Sequence, residues 1–219
     1  MVCEYLKQHL ADLRRHVKGA KAAQDSVHIH QTRVASRRLR SGFAVFKNSL
    51  SPKPLKKWRK TVKGLTKDLG EVRDKDVQIA CLEAMVMELG EGRTHYWPGI
   101  KRLQIRLIQE RQRLQPKVKN IIATLEKSKL MARMAEDLEK KQIALKTNHT
   151  TLLRPSMYAQ ARQHLSKRVC RCQAWADSLD TPDHIEGHHY LRIAVKKLRY
   201  SLELFSPLLE GQLDASNHS

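Results

Sequence analysis

HQTRVASRRLRS, residues 30–41, and HYLRIAVKKLRY, residues 189–200, decide how this chain is read. On a helix advancing about 100° per residue, Arg33, Arg37 and Arg40 fall within roughly 80° of His30, on one stripe. Ala35, Leu39, Phe43, Phe46 and Leu50 fall on the broadly opposite side. Arg38 lies off the stripe on its other flank. The second stretch repeats the layout in the same register, His189 following His30 by 159 residues. Arg192, Lys196 and Arg199 take the places of Arg33, Arg37 and Arg40, and Lys197 takes that of Arg38. Ala194, Leu198, Leu202, Phe205 and Leu209 form the matching apolar face. One basic helix reads equally well as a solvated face. Two copies without a gap argue for internal duplication.

Such a ladder is costly when left alone. Like charges four residues apart on a helix repel by about 0.2–0.5 kcal/mol per pair. Arg33/Arg37 and Arg192/Lys196 are such pairs, with few acids nearby in sequence. A linear polyanion would remove the penalty, because arginine grips phosphate oxygens through two parallel hydrogen bonds. Counterion release would make such binding steeply salt-dependent.

Composition agrees with both halves of this reading. The 219 residues carry 42 Lys+Arg against 22 Asp+Glu, a formal net charge of +20. An excess of that size costs stability through self-repulsion and points to a polyanionic partner. Strong helix formers dominate, apolar residues make up 41 % and aromatic residues only 5 %. The expectation is an all-α protein with a real core. Cys3, Cys81, Cys170 and Cys172 fit no common zinc spacing and read as reduced thiols. The lack of an apolar run near 18 residues, and of a signal-peptide core, places the protein in the cytoplasm and off the membrane.

Helical spacing predicts helices over Glu4–Ala22, from an Asp25-Ser26 cap to about Leu50, and over Leu55–Leu89 with weak points at Gly64 and Gly70. Ser51-Pro52-Lys53-Pro54 ends the second of these and Gly90-Glu91-Gly92 turns the chain after the third. Pro98 opens a helix to about Lys127, kinked or interrupted at Pro116, and residues 129–146 continue as a charged helix. Lys146–Arg154 reads as a linker, dividing a first bundle (1–146) from a shorter second half (147–219). Pro155 then starts a helix to about Leu179, and a last helix runs from Ile185 to Leu209, followed by a frayed tail.

The pattern H-x-x-R-x-x-x-R-R-L-R from His30 to Arg40 resembles the signature of the CHAD family, the conserved-histidine α-helical domains. H-x-x-R-I-A-V-K-K-L-R-Y resembles its second signature. LTKDLGEVRDKDV, residues 65–77, is similar to the L-G-x-x-R-D-x-D-V segment that follows the first. The resemblance implies two pseudo-symmetric antiparallel helical bundles around a central basic groove or pore. It implies non-catalytic binding of inorganic polyphosphate and, in bacteria, association with polyphosphate granules. Carried over residue by residue, the ligand set is His30, Arg33, Arg37 and Arg40 with His189, Arg192, Lys196 and Arg199. Arg38 and Lys197 are rim contacts, and Tyr200 packs or lines the groove. The family's second half continues past its ladder with a further helix pair, and this chain shows no second L-G-x-x-x-D segment. Two alternatives follow: a truncated form, or a second bundle completed another way. A homodimer through the open apolar face of the last helix is one such way.

The remaining candidates carry two readings each. Lys56, Arg59, Lys60, Lys63 and Lys67 make one cationic helix face that either lines the groove or is solvated. Arg73 is placed at the groove, and Asp74 orients a groove arginine or caps a helix. Lys101–Arg113 reads as a solvated amphipathic face. Arg162, Lys167, Arg168 and Arg171 are scattered, some of them contributing. The histidines at 184, 188 and 189 show no zinc-protease pattern, and no cofactor is expected. A nucleic-acid binder is the alternative, disfavoured because the ladders carry almost no aromatics for base stacking. A phosphate-metabolism accessory protein or enzyme is a third, and the acids to hold magnesium are missing from it.

Overall fold

The computed structural model of the chain describes residues 2–22, 26–89, 95–147 and 153–216. It is all-α, with no strand among the described residues. The helices are α1 (Val2–Ala22), α2 (Ser26–Val45), α3 (Pro52–Asp68), α4 (Gly70–Leu89), α5 (Trp97–Arg113), α6 (Gln115–Lys127), α7 (Leu130–Thr147), α8 (Leu153–Gln173) and α9 (Ile185–Ser216). Short 3-10 turns cover Lys47–Ser49 and Ala176–Asp180. Among the described residues no helix is long and apolar enough to cross a membrane. Asp25, the turn at Gly90-Glu91-Gly92 and the centre of the expected linker lie outside the described residues.

Several boundaries differ from the sequence expectation, each for a local reason. The predicted helix over residues 55–89 is two helices, broken at Leu69, whose N–H still donates to Leu65 O. α2 stops at Val45, short of the expected Leu50, and the 3-10 turn Lys47–Ser49 follows it; Pro52 opens α3, where its missing N–H costs nothing. Pro116 acts the same way as an early residue of α6, so the chain is interrupted at Leu114 rather than kinked. Between α6 and α7, Lys129 takes a left-handed φ of 50°, a helix-ending conformation usually given to glycine. The last helix continues past Leu209 to Ser216 with Pro207 inside it. Pro207 cannot donate to the carbonyl four residues back, that of Glu203. Ser206 Oγ donates to that oxygen instead, at 3.2 Å. The hydroxyl offsets part of the loss that normally ends a helix at proline.

The chain divides into two compact units. The larger comprises Lys7–Arg40 and Ser51–Glu136 and is built on α3, α4, α5 and α6 with most of α1 and α2. Its core holds Leu10, Leu13, Ile29, Leu39, Trp58, Leu69 and Ile122, among others. Removing each such side chain from water stabilises the fold by about 1.5–3 kcal/mol. The smaller comprises Met1–Leu6, Ser41–Leu50 and Asp137–Ser219 and is built on α8 and α9. In it Phe46 meets Phe205 edge-to-face, with ring centroids 6.4 Å apart. These two phenylalanines occupy matching positions in the two repeated stretches. Gly42 lets α1 approach α2 closely here, since a Cβ at that position would sit 2.7 Å from Leu6.

Candidate functional site

The first ladder lies on α2 in the larger unit. Its apolar side is buried as the spacing requires: Ala35, Leu39, Phe43, Phe46 and Leu50 are all 6 % exposed or less. Thr32 and Ser36 are buried with them, Ser36 Oγ donating to Thr32 O at 2.7 Å. On the other side His30 and Arg40 are exposed, while Arg33, Arg37 and Arg38 are half-buried.

Arg33 is the best-held cation of the ladder. Its Nη1 donates to Thr66 O at 2.5 Å, in the last turn of α3. Carbonyls in the last turn of a helix lack an intrahelical donor, and the guanidinium serves this one. The same nitrogen lies 3.2 Å from where a Cβ on Gly70 would stand. The break between α3 and α4 therefore forms the seat of Arg33. The glycine of the L-G-x-x-R-D segment leaves room for the guanidinium. Two residues of that segment act on the ladder electrostatically. Burial first, then Arg37 and Arg73, hold Arg33 below its ordinary pKa, and Asp74 works in the opposite direction. Asp76, two residues on, is buried and pairs with Arg111 Nε at 3.0 Å, fixing α4 to α5. The helical reading of the two acids as facing apart holds.

His30 is exposed, yet partial desolvation is the first cause lowering its pKa. The neighbours Arg73, Arg37 and Arg33 follow, in that order. It is neutral near pH 7 and surrounded by cations. Among the described residues no carboxylate lies within ion-pair distance of His30, Arg33, Arg37 or Arg40.

On α3, Leu55, Trp58, Val62 and Leu65 are buried, and Lys56, Arg59, Lys60, Lys63 and Lys67 are exposed. At about 100° per residue Arg59 projects within roughly 20° of Thr66 and Lys63 within roughly 60°. Lys60 instead lines a groove of about 680 Å³ with Lys57, Asp68 and residues of α6. The cationic face of α3 is therefore shared between two sides.

The second ladder lies on α9 in the smaller unit. His189, Arg192, Lys196, Lys197 and Arg199 are all exposed, and Tyr200 is half-buried. Arg199 is tied to its own helix, its Nε 3.1 Å from Glu203 Oε1 and its guanidinium 5.7 Å from the Tyr200 ring. The apolar side is only partly covered. Ala194 and Phe205 are buried, but Leu202 is 43 % exposed, and Leu204 takes the buried place instead. The side chain of Leu209 lies outside the described residues. The start of α9 is pinned by His188, whose Nε2 donates to Ser178 O at 2.5 Å. The carbonyl can only accept, so this nitrogen carries the proton. Among the described residues no group of three or more His, Cys, Asp and Glu side chains is placed to hold a metal.

Two features escaped the sequence reading. Arg111, assigned to a solvated face, is the partner of Asp76; only the fold brings the two together across 35 residues. Trp175 and Tyr190 stack at 4.8 Å between centroids, beside a cavity of about 250 Å³ lined also by Arg168, Arg171 and Lys197. Burial, then Arg171, lowers the pKa of Arg168, whose Nε donates to His164 Nε2 at 3.3 Å.

A family model, the CHAD domain, matches residues 4–216 of the 219. A comparison with curated proteins finds no match.

Proposed function

The chain belongs to the CHAD-domain family, and from that premise we propose that it is a non-catalytic binder of inorganic polyphosphate. The grip comes from the two ladders. His30, Arg33, Arg37 and Arg40, with Arg73 beside them, serve on α2, and His189, Arg192, Lys196 and Arg199 serve on α9. Arg38, Lys197 and the cations of α3 extend the contact along the chain of phosphates. One observation carries the reading. Arg33 is fixed by Thr66 O against Gly70 and desolvated near Arg37 and Arg73, with Asp74 offsetting them in part. A cation desolvated among other cations is held at a cost, which an anion relieves. The guanidinium and ammonium groups of the ladders can only donate, which suits them to holding phosphate oxygens. Phosphoryl transfer would call for acids that hold magnesium beside them. A cytoplasmic location on polyphosphate granules follows from the same reading.

The test is a comparison of ligands at about 150 mM salt, where exposed charges are largely screened beyond a Debye length. Long-chain polyphosphate, single-stranded RNA and duplex DNA are titrated against the protein, and phosphate release is assayed in parallel. Polyphosphate should bind most tightly, with no release. The variant R33A/R37A/R192A/K196A should lose that binding while its helical circular dichroism stays unchanged. Equal affinity for RNA, or phosphate release that scales with protein, overturns the proposal.

A second reading, nucleic-acid binding, draws on the Trp175–Tyr190 stack beside Arg168, Arg171 and Lys197. Aromatic faces next to cations are what single strands use. W175A should weaken RNA binding and leave polyphosphate binding untouched if this stack serves nucleotides.

A further inference from the structure

The outer half of α4, with the part of α5 beside it, is unlike the rest of the molecule. Val72 and Asp76 are the buried residues of α4, both in its first two turns. Beyond them one edge of the helix, Ile79, Leu82, Val86 and Leu89, is half-buried. This edge runs alongside α5, where Gln104 Nε2 donates to Glu83 Oε1 at 3.1 Å. The opposite face carries Val77, Ala80, Cys81, Ala84 and Met85, all exposed, with Met87 83 % exposed at its margin. These residues recur at three- and four-residue spacing, so they form one stripe. A helix apolar on both sides is ordinarily a buried helix.

Charge sets this region apart from the rest of the chain. From Val77 to Leu89 and from Trp97 to Glu110, the acids Glu83, Glu88 and Glu110 balance the bases Lys101, Arg102 and Arg106. This stretch has no net charge, in a chain whose total is +20. Bringing two copies together through either ladder would press positive surfaces against each other. Through α4 it does not.

We infer that the outer face of α4 is a self-association surface, and that two copies of this chain pair α4 against α4, antiparallel, about a two-fold axis between Cys81 and Ala84. Glu88 lies on the same face and sets the direction. A parallel pair would stack the two Glu88 carboxylates, whereas the antiparallel pair places each opposite Val77 of the other copy. Ala80, Cys81 and Ala84 at the centre let the helices approach to the short end of the usual range, about 8 Å. A contact made by the same patch on both copies closes at two and does not propagate. The contact uses no residue of either ladder. A polyphosphate chain long enough to engage both copies therefore gains affinity through effective concentration, which a short one does not.

The experiment uses the full chain. Sedimentation across the micromolar range should show a dimer, and a short bis-maleimide should join two copies through Cys81. C81S should abolish the cross-link, while C170S and C172S should leave it. A84E should return the protein to a monomer with unchanged helical circular dichroism, and should lower affinity for long chains while sparing short ones. A monomer at every concentration overturns the inference. So does a cross-link that persists in C81S and vanishes in C170S, which would put the contact on α8. The wild-type cross-link needs no substitution to fold.

Discussion

The two ladders begin from nearly the same sequence and end in different surroundings. On α2 the positions Thr32, Ser36, Leu39 and Phe43 are all fully buried. The positions that match them on α9 are Leu191, Val195, Leu198 and Leu202, more apolar yet more open, with Val195 49 % and Leu202 43 % exposed. The cations differ in the same sense. Arg33 is seated on Thr66 O beside Gly70, while Arg192 and Lys196 extend from an exposed face. A repeated pattern thus fixes which residues lie on which side of a helix. It does not fix how firmly each is held, which depends on what packs behind and beside it.

The largest contrast is expected in stability. Phe43→Ala should cost about 3–5 kcal/mol by denaturant unfolding, because a fully buried ring leaves a cavity. Leu202→Ala, at the matching position, should cost under about 1 kcal/mol, as an exposed site does. Equal costs would mean that the face of α9 is covered in solution, and the comparison would fall. Next comes binding. R33A/R37A should weaken polyphosphate binding by about 10²-fold, since charge-assisted hydrogen bonds from a pre-set guanidinium are lost. R192A/K196A should cost about tenfold, because both residues are exposed, where solvent and salt screen their charge more strongly. Titration of the two double variants decides whether the difference in seating matters.

A smaller effect is expected with pH. The pKa of His30 lies below its ordinary value of 6.5 in the free protein, through desolvation and then Arg73, Arg37 and Arg33. A bound polyanion raises it, so protonation accompanies binding and affinity rises as pH falls through and below 6.5. The expected change is several-fold between about pH 7 and pH 5.5, and H30Q should flatten it. The sign for folding is the reverse. The unfolded chain takes up the proton first, so stability is lost as pH falls below 6.5, and His16 and His164, also lowered, act the same way. Thermal unfolding with and without polyphosphate should show the ligand restoring stability at the acid end. The smallest change is Gly70→Ala. Its Cβ would stand 3.2 Å from Arg33 Nη1, so the guanidinium must move by a few tenths of an ångström. A two- to threefold loss of polyphosphate affinity, about 0.5 kcal/mol, with stability unchanged is expected. An unaffected Kd would show that the seat of Arg33 tolerates the shift.

Much of this was legible before any coordinates. The buried side of α2 followed residue by residue from its spacing, because a helix commits every side chain to a direction. Asp74, read as orienting a groove arginine or capping a helix, acts electrostatically on Arg33. What stayed hidden involves partners remote in sequence. The solvated reading of Lys101–Arg113 missed the Arg111–Asp76 pair, and the aromatic-poor reading of the ladders missed Trp175 against Tyr190. The helix ends were blurred for another reason. Pro52 and Pro116 open helices here, and a proline that opens a helix looks in sequence like one that stops it.

By itself, then, the sequence determined the all-α class, the two cationic stripes and their common register, because charge and periodicity are local properties of the chain. Tertiary structure alone decided that Arg33 has a seat and that the matching face of α9 is left open. Both depend on which other helix arrives at that surface, and no spacing within the helix encodes that.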